Sequence, residues 1–183
     1  MADAAGNRSL FAWLAATPAR FWRGVATWPT GGQWAEAGVL ALPIFVTLTI
    51  FGFGGGILHF AAPAPTLLQD LAIAFFAPAL GEELAFRALL VPDARETGRP
   101  TLSFALSTAA FVAWHVFEAE TFLPKVAPLF ENMFFLCNAA ALGLGCGYVR
   151  WRSNSVWPAV AMHWLAVAIW QAFLGGPGLE ALR

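Results

Sequence analysis

Five long apolar segments account for most of this chain, and short polar or Pro- and Gly-rich stretches separate them. A helix needs about 20 predominantly apolar residues to cross the hydrocarbon core of a bilayer. The segments approach or exceed that length, so the sequence predicts an all-α bundle of about five membrane-spanning helices, with a loop at residues 118–125. The predicted helices cover residues 36–60, 66–91, 101–117, 126–148 and 155–174.

The composition indicates an integral membrane protein that has no nucleic-acid partner. Hydrophobic residues make up 59% of the chain and charged residues 11%, whereas about 25% of the residues of a soluble domain are charged. The net charge is −1 and no block of Lys or Arg occurs, which argues against binding to nucleic acid. The expected surroundings are therefore a lipid bilayer.

The N-terminal part, residues 1–35, differs from the transmembrane domain predicted for residues 36–183. Residues 1–9 are small and polar, and we expect them to be disordered. After them, three apolar residues recur at helical spacing on the side opposite two arginines, which is typical of an amphipathic helix lying in the membrane surface. The apolar residues are Phe21, Val25 and Trp28, and the arginines are Arg20 and Arg23.

The basic residues predict the orientation of the bundle. With the N-terminus in the cytoplasm, seven arginines fall on the cytoplasmic side and only Lys125 and Arg183 on the other side. This asymmetry agrees with the preference of Lys and Arg for cytoplasmic loops. The seven are Arg8, Arg20, Arg23, Arg95, Arg99, Arg150 and Arg152.

The second predicted span contains three charges, Glu82, Glu83 and Arg87, in an otherwise strongly apolar stretch. Its twelve Leu, Ile, Phe and Val residues between Leu67 and Val91 favour insertion by about 4–7 kcal/mol. The three charges oppose insertion by roughly 7–10 kcal/mol. The segment therefore needs polar partners from other helices. Charged residues that are kept in a membrane span despite this unfavourable insertion free energy indicate a functional site.

Helical geometry separates the two acids. Glu83 and Arg87 are four residues apart and can pair on one helix face. Glu82 lies about 100° round the helix from Glu83 and is left without that partner. The spacing therefore predicts that Glu83 neutralises Arg87 and that Glu82 is free for chemistry.

Two other predicted spans contribute histidines, His115 on the third and His163 on the fifth. A carboxylate beside an imidazole can activate water as a general base. A second imidazole can donate to the oxyanion of a tetrahedral intermediate. With Glu82, these groups suffice to hydrolyse a peptide bond without a covalent intermediate. No Gly-x-Ser-x-Gly or His-Glu-x-x-His pattern offers another mechanism.

A zinc site is the alternative arrangement of the same groups. Glu82, His115 and His163 would be the ligands and Glu83 the base, as in His₂Glu zinc enzymes. The pairing of Glu83 with Arg87 counts against this alternative, because it holds the proposed base. We therefore expect no cofactor, with zinc as the alternative.

These residues resemble the CPBP family of intramembrane proteases, also called the Abi family, which includes CAAX prenyl endopeptidases and bacteriocin-processing proteins. The resemblance rests on Glu82-Glu83-x-x-x-Arg87, on Phe111-x-x-x-His115 and on His163, and it covers about residues 66–174. It implies that Glu82 and His115 activate the water and that His163 helps to hold the oxyanion. Glu83, Arg87 and Phe111 would be supporting groups.

One position departs from the family pattern. The family usually has Asn or Asp four residues after its last histidine, and this chain has Val167 there. Asn138 on the fourth helix could replace that donor. Its alternative role is a hydrogen bond between helices.

The predicted function is therefore that of an intramembrane endopeptidase of glutamic rather than metallo type. Its substrate would be a membrane-associated protein or peptide, and the cleavage would be CAAX-type processing or removal of a C-terminal sorting tail. The expected location is a bacterial inner membrane. The rivals are a zinc-dependent form of the same protease and a non-catalytic membrane partner or scaffold. The scaffold alternative rests on Val167.

Overall fold

The computed structural model describes residues 12–93, 96 and 100–178, and this part of the chain contains helices and no strand. The predicted all-α architecture is confirmed. Seven α-helices, one π-helix and one 3₁₀ turn have both ends within the described residues. They are α1 (Thr17–Ala26), α2 (Gly31–Gly54), α3 (Leu67–Ala74), the π-helix (Phe75–Ala88), α4 (Pro100–Thr121), the 3₁₀ turn (Pro124–Val126), α5 (Ala127–Phe130), α6 (Met133–Ser153) and α7 (Trp157–Phe173).

Three helices in the described ranges are long and apolar enough to cross a membrane, namely Gly31–Gly54, Thr101–Thr121 and Met133–Ser153. The second predicted span is instead divided into α3 and the π-helix, and α7 has 17 residues. Length and composition thus support three of the five predicted spans. The other two stay predictions.

Local signals set the ends of α2. The Thr30 side chain accepts a hydrogen bond from the backbone N–H of Gln33, and the Gln33 side chain accepts one from the backbone N–H of Thr30. This capping box satisfies two donors of the first turn, so the helix begins five residues before the predicted start at residue 36. Gly55 and Gly56 follow its end, and Gly56 adopts a φ of +69°, which glycine tolerates.

The α1 helix packs against the bundle through both of its predicted faces. Phe21 and Val25 lie in a cluster with residues of the π-helix and α7. Arg20, predicted on the polar face, is fully buried and donates to the carboxylate of Glu96 and to the carbonyl oxygen of Leu89. The expected polar face is therefore an inner face, because Glu96 supplies the opposite charge. The position of α1 relative to a membrane stays a prediction.

The α6 helix packs against α2, α4 and α7, and small residues let these helices approach it. A Cβ atom at Gly145 would lie 2.8 Å from the Ile44 side chain of α2. Gly143 faces the other direction, toward α4 and the charged motif. This central position of α6 brings the π-helix, α4 and α7 together at one level of the bundle.

Candidate active site

The charged motif lies in the π-helix rather than in the predicted α-helix. Pro78 precedes the motif and lacks an N–H, so one backbone carbonyl in this stretch has no helical donor. The π conformation is rare, and its usual single-turn form occurs frequently at functional sites; here it extends over 14 residues. The wider turn still places Glu82, Glu83 and Arg87 inside the protein, where all three side chains are buried.

Glu83 and Arg87 form the predicted ion pair. Arg87 Nη1 lies 3.2 Å from Glu83 Oε1, and both side chains are fully buried. The guanidinium also lies over the Phe111 ring, 4.2 Å from its centroid, which adds a cation–π contact. Among the described residues, no Arg87 nitrogen has an acceptor in hydrogen-bonding geometry, so the carboxylate and the ring are what compensate this charge.

Glu83 has a second partner that the sequence did not predict. His163 Nδ1 lies 2.9 Å from Glu83 Oε1, while His163 Nε2 lies 3.8 Å from Glu82 Oε2. A carboxylate that accepts from Nδ1–H fixes the tautomer and the orientation of the ring. Glu83 therefore both neutralises Arg87 and turns His163 Nε2 toward Glu82.

His115 is oriented by its own helix. Its Nδ1 lies 2.8 Å from the backbone oxygen of Phe111, so Nδ1–H donates to that oxygen and Nε2 keeps its lone pair. The imidazole also meets the rings of Phe111, Phe130 and Phe135 at centroid distances of 4.7, 5.4 and 5.3 Å. Phe111 also contacts His163, at 5.6 Å, so one ring supports both histidines and Arg87.

A cavity of about 670 Å³ connects the three residues that were predicted to be catalytic. Glu82, His115 and His163 line it, whereas Glu83 and Arg87 do not. Most of its walls are apolar, and its volume is typical of ligand-binding pockets. The two acids are thus separated in space: Glu82 faces the cavity, and Glu83 lies behind His163.

Asn138 and Val167 also line the cavity. Asn138 Nδ2 donates to the backbone oxygen of Leu48 on α2, 3.1 Å away. The hydrogen bond between helices that was given as the alternative role of Asn138 is therefore present. The second hydrogen of Nδ2 is not used by this bond, whereas Val167 brings only an apolar side chain to the cavity.

The residues do not form a metal site as they stand. In the part of the chain that the structure describes, no three His, Cys, Asp or Glu side chains converge closely enough to hold a metal ion. One nitrogen of His163 is engaged by Glu83. The zinc alternative would require these side chains to rearrange.

Glu118 also lines the cavity, and the sequence did not reveal it. We expected a loop from residue 118 to residue 125, but α4 continues to Thr121. Glu118 therefore lies one turn after His115, on the same helix face. The three-residue spacing from His115 was visible in the sequence, but the polar residues around Glu118 resembled the end of a helix.

Gly143 provides the room for the buried guanidinium. A Cβ atom at this position would lie 3.1 Å from Arg87 Nη2, 3.2 Å from Thr108 Cγ2 and 3.3 Å from Phe111 Cδ1. At Gly147, one turn later, the nearest side-chain atoms would be 3.7 and 4.0 Å away, which is ordinary packing.

We therefore expect Gly143→Ala to destabilise the protein by about 1–3 kcal/mol through overpacking. Gly147→Ala is the matched control and should be neutral or stabilising by up to about 1 kcal/mol, because Ala favours a helix. Thermal unfolding in detergent micelles compares the two variants. A Gly143→Ala protein at least as stable as Gly147→Ala would contradict the close packing around Arg87.

The sequence was compared with models of known protein families. Residues 63–169 match the family described as type II CAAX prenyl endopeptidase Rce1-like. The matched range contains Glu82, His115 and His163. Neither the curated proteins nor the solved structures gave a match.

Proposed function

The chain belongs to the type II CAAX prenyl endopeptidase Rce1-like family, and from this premise we propose that it is an endopeptidase that cleaves membrane-associated proteins or peptides with an activated water. At the level of the family, it is a CAAX-type protease and an integral membrane protein, which agrees with the resemblance to the CPBP family. The observation that supports the mechanism most is the shared cavity of Glu82, His115 and His163.

The proposed reaction begins with a water molecule between Glu82 and His115. The Glu82 carboxylate removes a proton while the water oxygen adds to the substrate carbonyl carbon. His115 Nε2, whose lone pair is free, accepts the other hydrogen of the water as a hydrogen bond and orients it. The C–N bond then breaks, and the proton held by Glu82 passes to the leaving amine.

His163 is proposed to stabilise the tetrahedral intermediate. Its Nδ1–H is engaged by Glu83, so Nε2 is the atom available at the cavity wall. When Nε2 carries a proton, it can donate to the oxyanion. The second hydrogen of Asn138 Nδ2 is a further donor at the same cavity. We propose that it replaces the hydrogen-bond donor that the family usually has at the position of Val167.

A metal-free mechanism fits this arrangement better than a zinc site, because Glu83 already holds His163 and pairs with Arg87. The test uses protein purified in detergent, candidate CAAX-type and C-terminally tailed substrates, and mass spectrometry of the product termini. We expect cleavage that survives chelation and no stoichiometric zinc. Zinc that is lost together with activity on chelation would favour the metallo alternative.

A non-catalytic partner or scaffold is the second candidate, and the observation that favours it is the apolar Val167 in the cavity wall. The two candidates differ in one readout. A scaffold would bind a membrane protein without cleaving it, so the bound protein would keep its original termini. Glu82→Gln would not alter that binding.

We also propose that the protein resides in a bacterial inner membrane with its N-terminus in the cytoplasm. Seven of nine basic residues outside the spans then face the cytoplasm. A reporter fused after Arg183 is expected to behave as non-cytoplasmic, and one fused after Asn154 as cytoplasmic. A cytoplasmic signal after Arg183 would mean an even number of spans and would contradict the scheme.

A further inference from the structure

The proposed mechanism does not use Glu118, although this acid faces the same cavity as the catalytic groups. No ion pair involves Glu118 in the part of the chain that the structure describes. Four other acids there have arginine partners: Glu83 pairs with Arg87, Glu96 with Arg20, Asp93 with Arg23 and Glu36 with Arg152.

The cavity as a whole has the same imbalance. Its titratable lining residues are Glu82, Glu118, His115 and His163, and no Lys or Arg is among the described residues that line it. Glu82 is 8% exposed, and its Oε2 atom has no hydrogen-bond partner among the described residues. Two carboxyl groups with no Lys or Arg among the described lining residues favour a positively charged ligand, because an opposite charge within about 4–6 Å favours the ionised form of a carboxyl group.

Trp114 connects the two carboxylates. The indole is close enough to interact with both Glu82 and Glu118, and its Nε1–H has no aligned acceptor among the described residues. The Trp114 ring also packs against Phe117, at a centroid distance of 5.5 Å. A cation bound between the acids would lie near this indole, an arrangement that favours Lys or Arg through cation–π attraction.

We infer that Glu118 selects substrates that carry a Lys or Arg side chain one or two residues from the bond that is cleaved. This inference rests on the proposed endopeptidase function. Glu118 lies three residues after His115 on α4, a rise of about 4.5 Å, and an extended peptide advances about 3.3 Å per residue. A basic side chain one or two residues from the carbonyl at His115 therefore reaches Glu118.

The test uses twelve-residue apolar peptides that carry one Lys at successive positions, together with the same peptides carrying norleucine or Glu instead. Norleucine keeps the aliphatic stem of lysine and removes its charge. Binding is measured by fluorescence in detergent micelles for four proteins: wild type, Glu118→Gln, Glu120→Gln and Glu82→Gln. Glu120→Gln is the matched control, because Glu120 is exposed on the same helix. Cleavage positions are mapped by mass spectrometry.

We expect the wild type to bind a Lys peptide at least about tenfold more tightly than its norleucine partner, as for other charge pairs that are partly buried. Glu118→Gln should remove this preference without lowering the affinity for the norleucine peptide. Glu120→Gln should keep the preference for the Lys peptide. In cleavage, Glu118→Gln should raise KM for Lys peptides with little change in kcat. The cut should move along the peptide with the Lys.

Other outcomes separate the two proposals. Equal binding of Lys and norleucine peptides by the wild type would overturn the role of Glu118, and cleavage of both would leave the endopeptidase function standing. A kcat that falls equally for both peptides in Glu118→Gln would also overturn it, because the residue would then act in the reaction. A Lys preference in wild type and Glu82→Gln, with no cleavage of any peptide, would support cation recognition and contradict the protease function.

Discussion

Glu82→Gln is expected to abolish peptide cleavage while the protein remains folded and abundant. The substitution keeps the size and hydrogen-bonding shape of the side chain but removes the group that accepts the proton of the water. General base catalysis contributes about 10²–10⁴-fold, so the activity of the purified variant should fall by at least that factor. Glu82 forms no ion pair with arginine in the described part of the chain, and the melting temperature in detergent should therefore change little.

His115→Ala should resemble Glu82→Gln if both residues act on one water, and the double variant should then be no worse than either single variant. Glu120→Gln is the control and should cleave normally, because Glu120 is exposed and lies outside the cavity lining. If Glu82→Gln cleaves normally while Glu83→Gln is folded and inactive, the roles of the two acids are reversed. If both cleave normally, the enzyme proposal is wrong.

Glu83→Gln is expected to lose stability rather than chemistry. The substitution leaves the buried Arg87 guanidinium without its carboxylate, and breaking a buried pair in this way costs about 3–5 kcal/mol. The glutamine oxygen can still accept from His163 Nδ1–H, so His163 keeps its orientation. We expect a lower melting temperature and yield, and a smaller loss of activity per folded molecule than for Glu82→Gln.

The double variant Glu83→Gln/Arg87→Leu tests whether the unpaired charge causes the loss. Because it leaves no buried arginine without a partner, it should recover part of the lost melting temperature. A double variant that is less stable than Glu83→Gln alone would mean that Arg87 acts through contacts other than this charge pair. The cation–π contact with Phe111 is the obvious one.

The sequence predicts those parts of the site that depend on local spacing. The Glu83–Arg87 pair was predictable because residues four apart meet on one side of a helix, and it persists although the helix is of the π type. The π conformation itself was not predictable, because apolar periodicity does not distinguish which carbonyl accepts each hydrogen bond. The helical architecture followed from the length of the apolar segments.

The contacts that the sequence did not predict join distant parts of the chain. His163 lies 80 residues after Glu83, and no spacing rule connects them. Arg20 was placed on an outer polar face, but Glu96, 76 residues later, pairs with it inside the protein. Glu118 was assigned to a loop, since its polar neighbours obscured that α4 continues past it.

The apolar wall of the cavity has a consequence for how substrates compete. A membrane-embedded peptide segment leaves lipid hydrocarbon, not water, when it enters the cavity, and lipid tails are as apolar as Leu. Apolar contact with the wall therefore adds little net affinity, and lipid chains compete for the same space. The effective substrate concentration is then the mole fraction of peptide in the bilayer, so added lipid should slow turnover by surface dilution even when bulk concentrations are unchanged.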